Sequence, residues 1–358
     1  MTRVLIIDDS SFVRRVLERA MSQQMDLRVV GEAVNGRDGI DQIKKLRPDA
    51  VTLDVEMPVM DGLATLTAMK QELGEKAPPV LMCSTLTAEG TRVAIEALHR
   101  GASDVIGKDS ATTQGAGFQA ELVSKLRAIA AKRVASCSGN VSKKPPALQG
   151  RRFGVLMIGS STGGPPVVEE MVRALPARHS VPVVVAQHMP SQFTASLAER
   201  LNELSPTKVV LAKHGMPLQG GTVYIAEGGL NTTIAGGRTA ASLQVRPAPA
   251  STIFKPNVDA LLSSGAQVFG QLAAGVVVTG MGDDGFIGGS QIAKAGGLVL
   301  TQSPETCVVF GMPKKLTETG TSAASLSPAQ LAQSVRQISE LGLSPAPGAG
   351  AGVTRRSA

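Results

Sequence analysis

Gly154-Val155-Leu156-Met157-Ile158-Gly159-Ser160-Ser161-Thr162-Gly163-Gly164-Pro165-Pro166 decides how the larger part of this chain folds. An apolar run of strand length ends in glycine and serine, and the helix-like Val167-Val168-Glu169-Glu170-Met171-Val172 follows. A buried strand that stops there and restarts as a helix leaves a hydroxyl and several backbone N–H groups at one point. The partial positive charge of a helix N-terminus at that point suits a developing oxyanion. The letters also satisfy G-x-S-x-G with Ser161 as the central serine. A glycine-rich turn with a capping serine gives the same pattern, so the stretch alone does not settle the chemistry.

Two further polar residues follow apolar runs downstream. Val183-Val184-Val185-Ala186-Gln187 ends in His188-Met189-Pro190, and Ala274-Gly275-Val276-Val277-Val278-Thr279 ends in Gly280-Met281-Gly282-Asp283-Asp284-Gly285. In an open parallel sheet, residues past the carboxyl ends of the strands gather along one edge, where ligands bind. A serine, a histidine and an aspartate can therefore meet. Their order, Ser then His then Asp, differs from that of the α/β-hydrolases, chymotrypsin and subtilisin, which disfavours a lipase-type hydrolase but not triad chemistry.

The chain has 358 residues, enough for two domains of ordinary size. With no Trp and one Tyr, aliphatic and small side chains must build the cores. Neither stacking aromatics nor a helix-turn-helix reader is evident, which argues against nucleic acid as a partner. The net charge of +7 is concentrated at 121–152, where eight Lys and Arg face the single Glu121 and equal the whole excess. Cys83, Cys137 and Cys307 have no metal-ligand spacing and form no disulfide framework, as expected in a reducing cytoplasm. Met1-Thr2-Arg3 runs directly into a strand pattern, so no signal peptide and no membrane insertion are expected.

In the first third of the chain, Arg3-Val4-Leu5-Ile6-Ile7 ends in Asp8-Asp9, and Ala50-Val51-Thr52-Leu53 ends in Asp54. Adjacent carboxylates at a strand end repel one another and are costly to desolvate, which makes most sense around a divalent cation. Pro79-Val80-Leu81-Met82-Cys83 ends in Ser84-Thr85, and Asp104-Val105-Ile106-Gly107 ends in Lys108. Helical patterns near 10–22, 36–46, 61–73, 88–100 and 118–134 alternate with these runs and predict a five-stranded parallel sheet covered on both faces.

With Asp8, Asp9, Asp54, Ser84 and Lys108 all in place, residues 1–134 resemble a response-regulator receiver domain of flavodoxin-like fold. The resemblance implies that Asp54 takes a phosphoryl group from a histidine kinase. It also implies Mg²⁺ at Asp8, Asp9, Asp54 and the Glu56 carbonyl, with Ser84 and Lys108 contacting the phosphoryl oxygens. Asp109 stands where such domains usually have proline, and Val105 replaces their usual aromatic, so neither a cis peptide nor an aromatic-rotation switch is implied.

Residues 135–152 read as an interdomain linker, with Pro145-Pro146 and little apolar content. Over 153–342, apolar runs at 154–158, 182–187, 208–211 and 274–279 alternate with helical stretches near 165–175, 191–203 and 257–266. They predict a second doubly wound, mostly parallel α/β sheet of Rossmann-like type. Three short runs, Val223-Tyr224-Ile225-Ala226, Thr232-Thr233-Ile234-Ala235 and Ser242-Leu243-Gln244-Val245, predict a small antiparallel hairpin section on its edge. The glycine- and proline-rich 343–358 reads as a disordered tail.

Five motifs in order resemble the chemotaxis protein-glutamate methylesterase family, of CheB type: Gly-Ser-Ser-Thr-Gly-Gly at 159–164, Gln-His-Met-Pro at 187–190, Phe193-Thr194, Thr-Gly-Met-Gly-Asp-Asp-Gly at 279–285 and Cys307 to Pro313. The resemblance implies hydrolysis of glutamyl methyl esters on chemoreceptors, with receptor-glutamine deamidation in many members and no cofactor for the hydrolysis. By position it makes Ser161 the nucleophile, His188 the general base and Asp284 the carboxylate that orients it, with Thr162 and Met281 assisting at the oxyanion. It further implies that the unphosphorylated receiver packs over the cleft. Asp283 reads as a turn residue, His99 as a helix-surface residue, and His179 and His214 as loop residues outside the site. Glu227-Gly228-Gly229-Leu230-Asn231 departs from the family's usual Pro-Gly-x-x-His, which bears on substrate contacts and not on the triad. A non-catalytic response-regulator adaptor and a transcriptional regulator are the competing functions. The intact serine, histidine and aspartate disfavour the first, and the missing recognition helix disfavours the second.

Overall fold

The computed structural model describes residues 1–108, 116–131, 142–249 and 252–343. The first unit runs β1 (Thr2–Ile7), α1 (Ser11–Ser22), β2 (Leu27–Ala33), α2 (Gly36–Leu46), β3 (Ala50–Asp54), α3 (Gly62–Leu73), β4 (Val80–Thr85), α4 (Ala88–His99), β5 (Asp104–Lys108) and α5 (Ala116–Ala130). Its five strands lie in the order β2-β1-β3-β4-β5, all parallel. Every residue of β3 is buried, as a central strand covered by helices on both faces must be. Four helices start where a side chain satisfies an otherwise orphaned N–H: Ser10 for α1, Asn35 for α2, Asp61 for α3 and Thr87 for α4. Asp109 and Cys137 fall outside the described residues.

The second unit runs β6 (Val155–Ser160), α6 (Gly164–Arg173), β7 (Val183–Gln187), α7 (Ser191–Leu204), β8 (Lys208–Leu211), β9 (Thr222–Ile225), β10 (Leu230–Ala235), β11 (Ser242–Pro247), α8 (Val258–Phe269), β12 (Ala273–Val277), α9 (Phe286–Lys294), β13 (Leu298–Gln302), α10 (Met312–Glu318), β14 (Ala324–Leu326) and α11 (Pro328–Glu340). Seven strands form one parallel sheet in the order β14-β13-β12-β6-β7-β9-β8. The chain leaves β6 toward β7 on one side and returns later to β12 on the other. The crevice past the carboxyl ends of β6 and β12 is therefore a topological switch point.

The structure corrects two expectations about this unit. Val223-Tyr224-Ile225 is no hairpin strand: it is β9, an interior parallel strand between β7 and β8, and only β10 and β11 pair antiparallel, as a separate two-stranded sheet packed on α8. Residues 142–152, read as linker, are bound to the second unit. The Ser142 carbonyl accepts from Ser325 N–H, the Lys143 carbonyl from Gln330 Nε2, Arg151 donates to the Gly296 carbonyl, and Leu148 is buried. The rest of that segment, 135–141, the predicted helix end at 132–134 and the tail from 344 onward lie outside the described residues.

The two units are in contact. α4 packs against α6 and α7, the Thr91 and Ser196 hydroxyls are 2.8 Å apart, and Arg200 of α7 reaches both Glu96 of α4 at 2.6 Å and Glu169 of α6 at 3.0 Å. His99, expected on the helix surface, is instead largely buried at this boundary, with Nε2 3.0 Å from Glu169. Its pKa lies below the ordinary histidine value because burial outweighs the attraction of Glu169. No described helix is long and apolar enough to cross a membrane.

Candidate active site and acidic pocket

The serine turn is held by its backbone. Ser161 N–H donates to the Thr279 carbonyl, Gly164 N–H to the Ser161 carbonyl, Gln187 Nε2 to the same Ser161 carbonyl, and Thr279 Oγ1 to the Thr162 carbonyl. Gly163 has φ 76°, a left-handed conformation that favours glycine, and a Cβ there would sit 2.4 Å from Val308. Gly280 lets the end of β12 approach the serine, because a Cβ on it would lie 2.6 Å from the Ser161 Cβ. Pro165 and Pro166 open α6, where missing N–H groups cost nothing.

His188 lies just past β7, and its N–H donates to the Ser160 carbonyl. Its Nε2 is 2.8 Å from Asp284 Oδ2, whereas Nδ1 is buried without a partner among the described residues. An ionised carboxylate only accepts, so Nε2 carries the proton and Nδ1 keeps its lone pair. Asp284 is itself set on the N-terminus of α8, where Val258 N–H donates to Oδ2 and Asp259 N–H to Oδ1, both at 2.8 Å. Its two oxygens thus each accept a backbone N–H from the first turn of α8. Asp283 points to solvent and pairs with Lys315 at 3.2 Å. His179 is buried away from the site, bridging the Val181 carbonyl and the Thr207 hydroxyl.

Ser161, Thr162, His188, Met189 and Met281 line a cavity of about 530 Å³ together with residues no motif pointed to: Ile253, Phe254 and Lys255 from the segment before α8, and Gly117, Ala120, Glu121, Ser124 and Lys125 from α5 of the first unit. The backbone N–H groups of Thr162 and Met281 make no hydrogen bond among the described residues. The Thr162 hydroxyl, by contrast, donates to Asp104 Oδ2 of β5 at 2.5 Å. Asp104 Oδ1 in turn accepts from Lys125 Nζ at 3.2 Å, and Ser124 Oγ donates to Met281 Sδ at 3.3 Å. Burial disfavours the Lys125 charge, but Asp104 and Glu121 outweigh it and hold its pKa above the ordinary lysine value.

At the other end of the first unit, Asp8, Asp9 and Asp54 place carboxylate oxygens within 4.8 Å of one another. Lys108 Nζ is 2.6 Å from Asp54 and 3.0 Å from Asp8. Burial pushes the Asp54 carboxyl up to about 6, Asp8 adds to the effect and Lys108 opposes it. One ammonium against three carboxylates leaves negative charge uncompensated, and an all-oxygen donor set of this kind fits Mg²⁺. Glu56 lines the same pocket. Ser84 does not: its hydroxyl is fully buried and donates to the Gly90 carbonyl at 2.7 Å, and its neighbour Thr85 lines the pocket instead. In this unphosphorylated arrangement the start of α4 holds the Ser84 proton.

The switch-point crevice with a serine, a base and an orienting carboxylate, joined to a sheet with an acidic pocket, defines a serine-hydrolase-type α/β domain coupled to a receiver domain. Residues 156–335 match the CheB methylesterase family and residues 4–115 match the response regulator receiver domain, so the chain belongs to the CheB methylesterase family. It is 34% identical over 339 residues to the protein-glutamate methylesterase/protein-glutamine glutaminase of Lawsonia intracellularis, covering 89% of this chain and 94% of that protein. It is 38% identical over 331 residues to the enzyme of the same name from Archaeoglobus fulgidus, covering 89% and 92%. The crystal structure of the Thermotoga maritima CheB methylesterase catalytic domain superposes with a TM-score of 0.50 at 34% identity, over 52% of this chain and all of that one. The chain is thus a CheB-type response-regulator hydrolase, and its receiver domain implies control by phosphorylation.

Proposed function

We propose that this protein hydrolyses glutamyl 5-methyl esters on chemoreceptors, releasing methanol, and deamidates receptor glutamines by the same route. The observation that carries the reading is His188, held at Nε2 by Asp284 with Nδ1 unpartnered, in the cavity that Ser161 lines. Nδ1 takes the Ser161 proton as Oγ attacks the ester carbonyl. The Thr162 and Met281 N–H groups, unengaged among the described residues, receive the oxyanion. His188 returns the proton to the departing methoxide, and a water activated by the same nitrogen releases glutamate from the acyl-enzyme. An amide follows the same path with ammonia leaving.

Asp54 is the phosphoryl acceptor in this reading, with a histidine kinase as donor. Asp8, Asp9, Asp54 and the Glu56 carbonyl would hold Mg²⁺, which when bound neutralises the carboxylates and the incoming phosphoryl oxygens. Lys108, already on Asp54, is placed to follow the new charge. Domain limits of 1–134 and 153–342 are proposed on the same grounds, with 142–152 tied to the catalytic side.

The test is methanol release from methylated receptor membranes by the full chain. Ser161→Ala is expected to abolish it while leaving circular dichroism and the melting temperature unchanged. Wild-type turnover in that variant would remove Ser161 from the mechanism.

A further inference from the structure

We propose that Phe254 is a positioning residue for His188, acting through the face of the imidazole as Asp284 acts through its edge. This rests on the reading of the cavity as a hydrolase site. The two rings stack with centroids 4.6 Å apart and planes inclined by 3°. A single hydrogen bond at Nε2 leaves the ring able to pivot about that bond, which swings Nδ1 away from the serine. A flat aromatic surface against one face removes that freedom.

The segment carrying Phe254 is itself anchored. The Lys255 carbonyl accepts from Gly229 N–H at 3.2 Å, Asn257 N–H donates to Asn231 Oδ1 at 3.1 Å, and Asn257 Oδ1 caps α8 by accepting from Ala260 N–H at 2.8 Å. The first turn of that helix supplies the Val258 and Asp259 N–H groups that hold Asp284. One stretch, 254–259, therefore grips His188 twice: directly on its face, and through Asp284 on its edge. Gly282 faces the same phenyl ring, and a Cβ there would lie in ordinary van der Waals contact with it, 3.6 Å away.

The stack also acts on the reaction itself. His188 becomes an imidazolium as Ser161 attacks, and the electron-rich phenyl face favours the cation over the neutral ring. The contact is thus stronger in the transition state than in the ground state, so its loss falls on kcat and not on KM.

The experiment compares F254L and F254Y with wild type in the full chain, primed with acetyl phosphate and Mg²⁺, on methylated receptor membranes. F254L is expected to lower kcat about three- to tenfold with KM within about twofold, the size of an aromatic stack, and F254Y to restore at least half of the loss. In parallel, ¹⁵N-histidine spectra resolve four histidines. The His188 ring nitrogens should show the widely separated shifts of one fixed tautomer in wild type and F254Y, and move toward each other in F254L. Wild-type kcat in F254L, equal impairment of F254L and F254Y, or unchanged His188 shifts in F254L would overturn the role. If wild type releases no methanol, the hydrolase reading fails, and the nitrogen shifts still decide whether Phe254 holds the ring.

Discussion

Asp284 is where one atom decides between two tautomers. Asp284→Asn keeps the volume but offers an N–H, so His188 must turn its lone pair to position 284 and its proton toward the serine. Hydrolysis is expected to fall by about 10³–10⁴-fold with binding of receptor membranes unchanged, and single-turnover kinetics separate the two. Asp54 carries the companion prediction: acetyl phosphate should label the wild type only with Mg²⁺, and Asp54→Ala should take up no label under conditions that give wild type full stoichiometry. At this scale the sequence was legible wherever a residue sat at the end of an apolar run, because a parallel sheet gathers such ends at one edge. Ser161, His188 and Asp284 come together for that reason. Phe254 was not legible, since a phenyl in an irregular segment carries no periodic signal and its partner is distant in the chain. Asp104 and Lys125 were hidden likewise, since neither stands at the carboxyl end of an apolar run.

The acidic edge formed by β1, β3 and β5 makes a prediction about pH. Asp54 titrates near 6 in the folded chain against 3.8 ordinarily. Between these values the folded state binds more protons than the unfolded one, so stability falls as pH rises through about 4 to 6 and the loss is complete above that window. Asp54→Asn removes the cost. Its unfolding free energy in chelator should match wild type near pH 4 and exceed it above pH 6 by on the order of 1–3 kcal/mol. Mg²⁺ should then stabilise wild type more than the variant, as differential scanning calorimetry with and without the ion will show. Strands β1, β3, β4 and β5 were readable because each is an apolar run closed by a polar residue. β9 was misread because four apolar residues between glycine turns look the same in an interior parallel strand and in a hairpin. The three-residue β14, and α9 and α10 with nine and seven residues, escaped notice because elements so short give little periodicity to detect.

Across the whole molecule, α5 of the first unit lines one side of the cavity that Ser161 lines, and the Thr162 hydroxyl is committed to Asp104 of β5. Asp104→Ala deletes that acceptor and takes from buried Lys125 a carboxylate partner at 3.2 Å, so resting methanol release should rise roughly five- to thirtyfold, the effect of a buried hydrogen-bonded charge worth about 1–2 kcal/mol. A chain lacking residues 1–140 should be at least as active and indifferent to acetyl phosphate. If both stay at the resting rate, occlusion by the receiver is not how the enzyme is held back. This arrangement was anticipated only through family resemblance, because nothing local in either half encodes the docking of two separately folded sheets.

Asp104 and Lys108 bracket a single strand, β5, about 13 Å from end to end at 3.3 Å per residue. The strand that touches Asp54 at one end therefore holds, at the other, the Thr162 hydroxyl next to Ser161 in the chain. A latch of this kind has a signal-to-background ceiling. However completely Asp54 is phosphorylated, the gain in turnover cannot exceed the ratio of closed to open molecules at rest. A closing free energy of about 2.8 kcal/mol limits that gain to about a hundredfold. Every residue that tightens the seam, Arg200 and Glu169 as much as Asp104, lowers the idle rate and raises the ceiling by the same factor, at the expense of a larger push needed to open it.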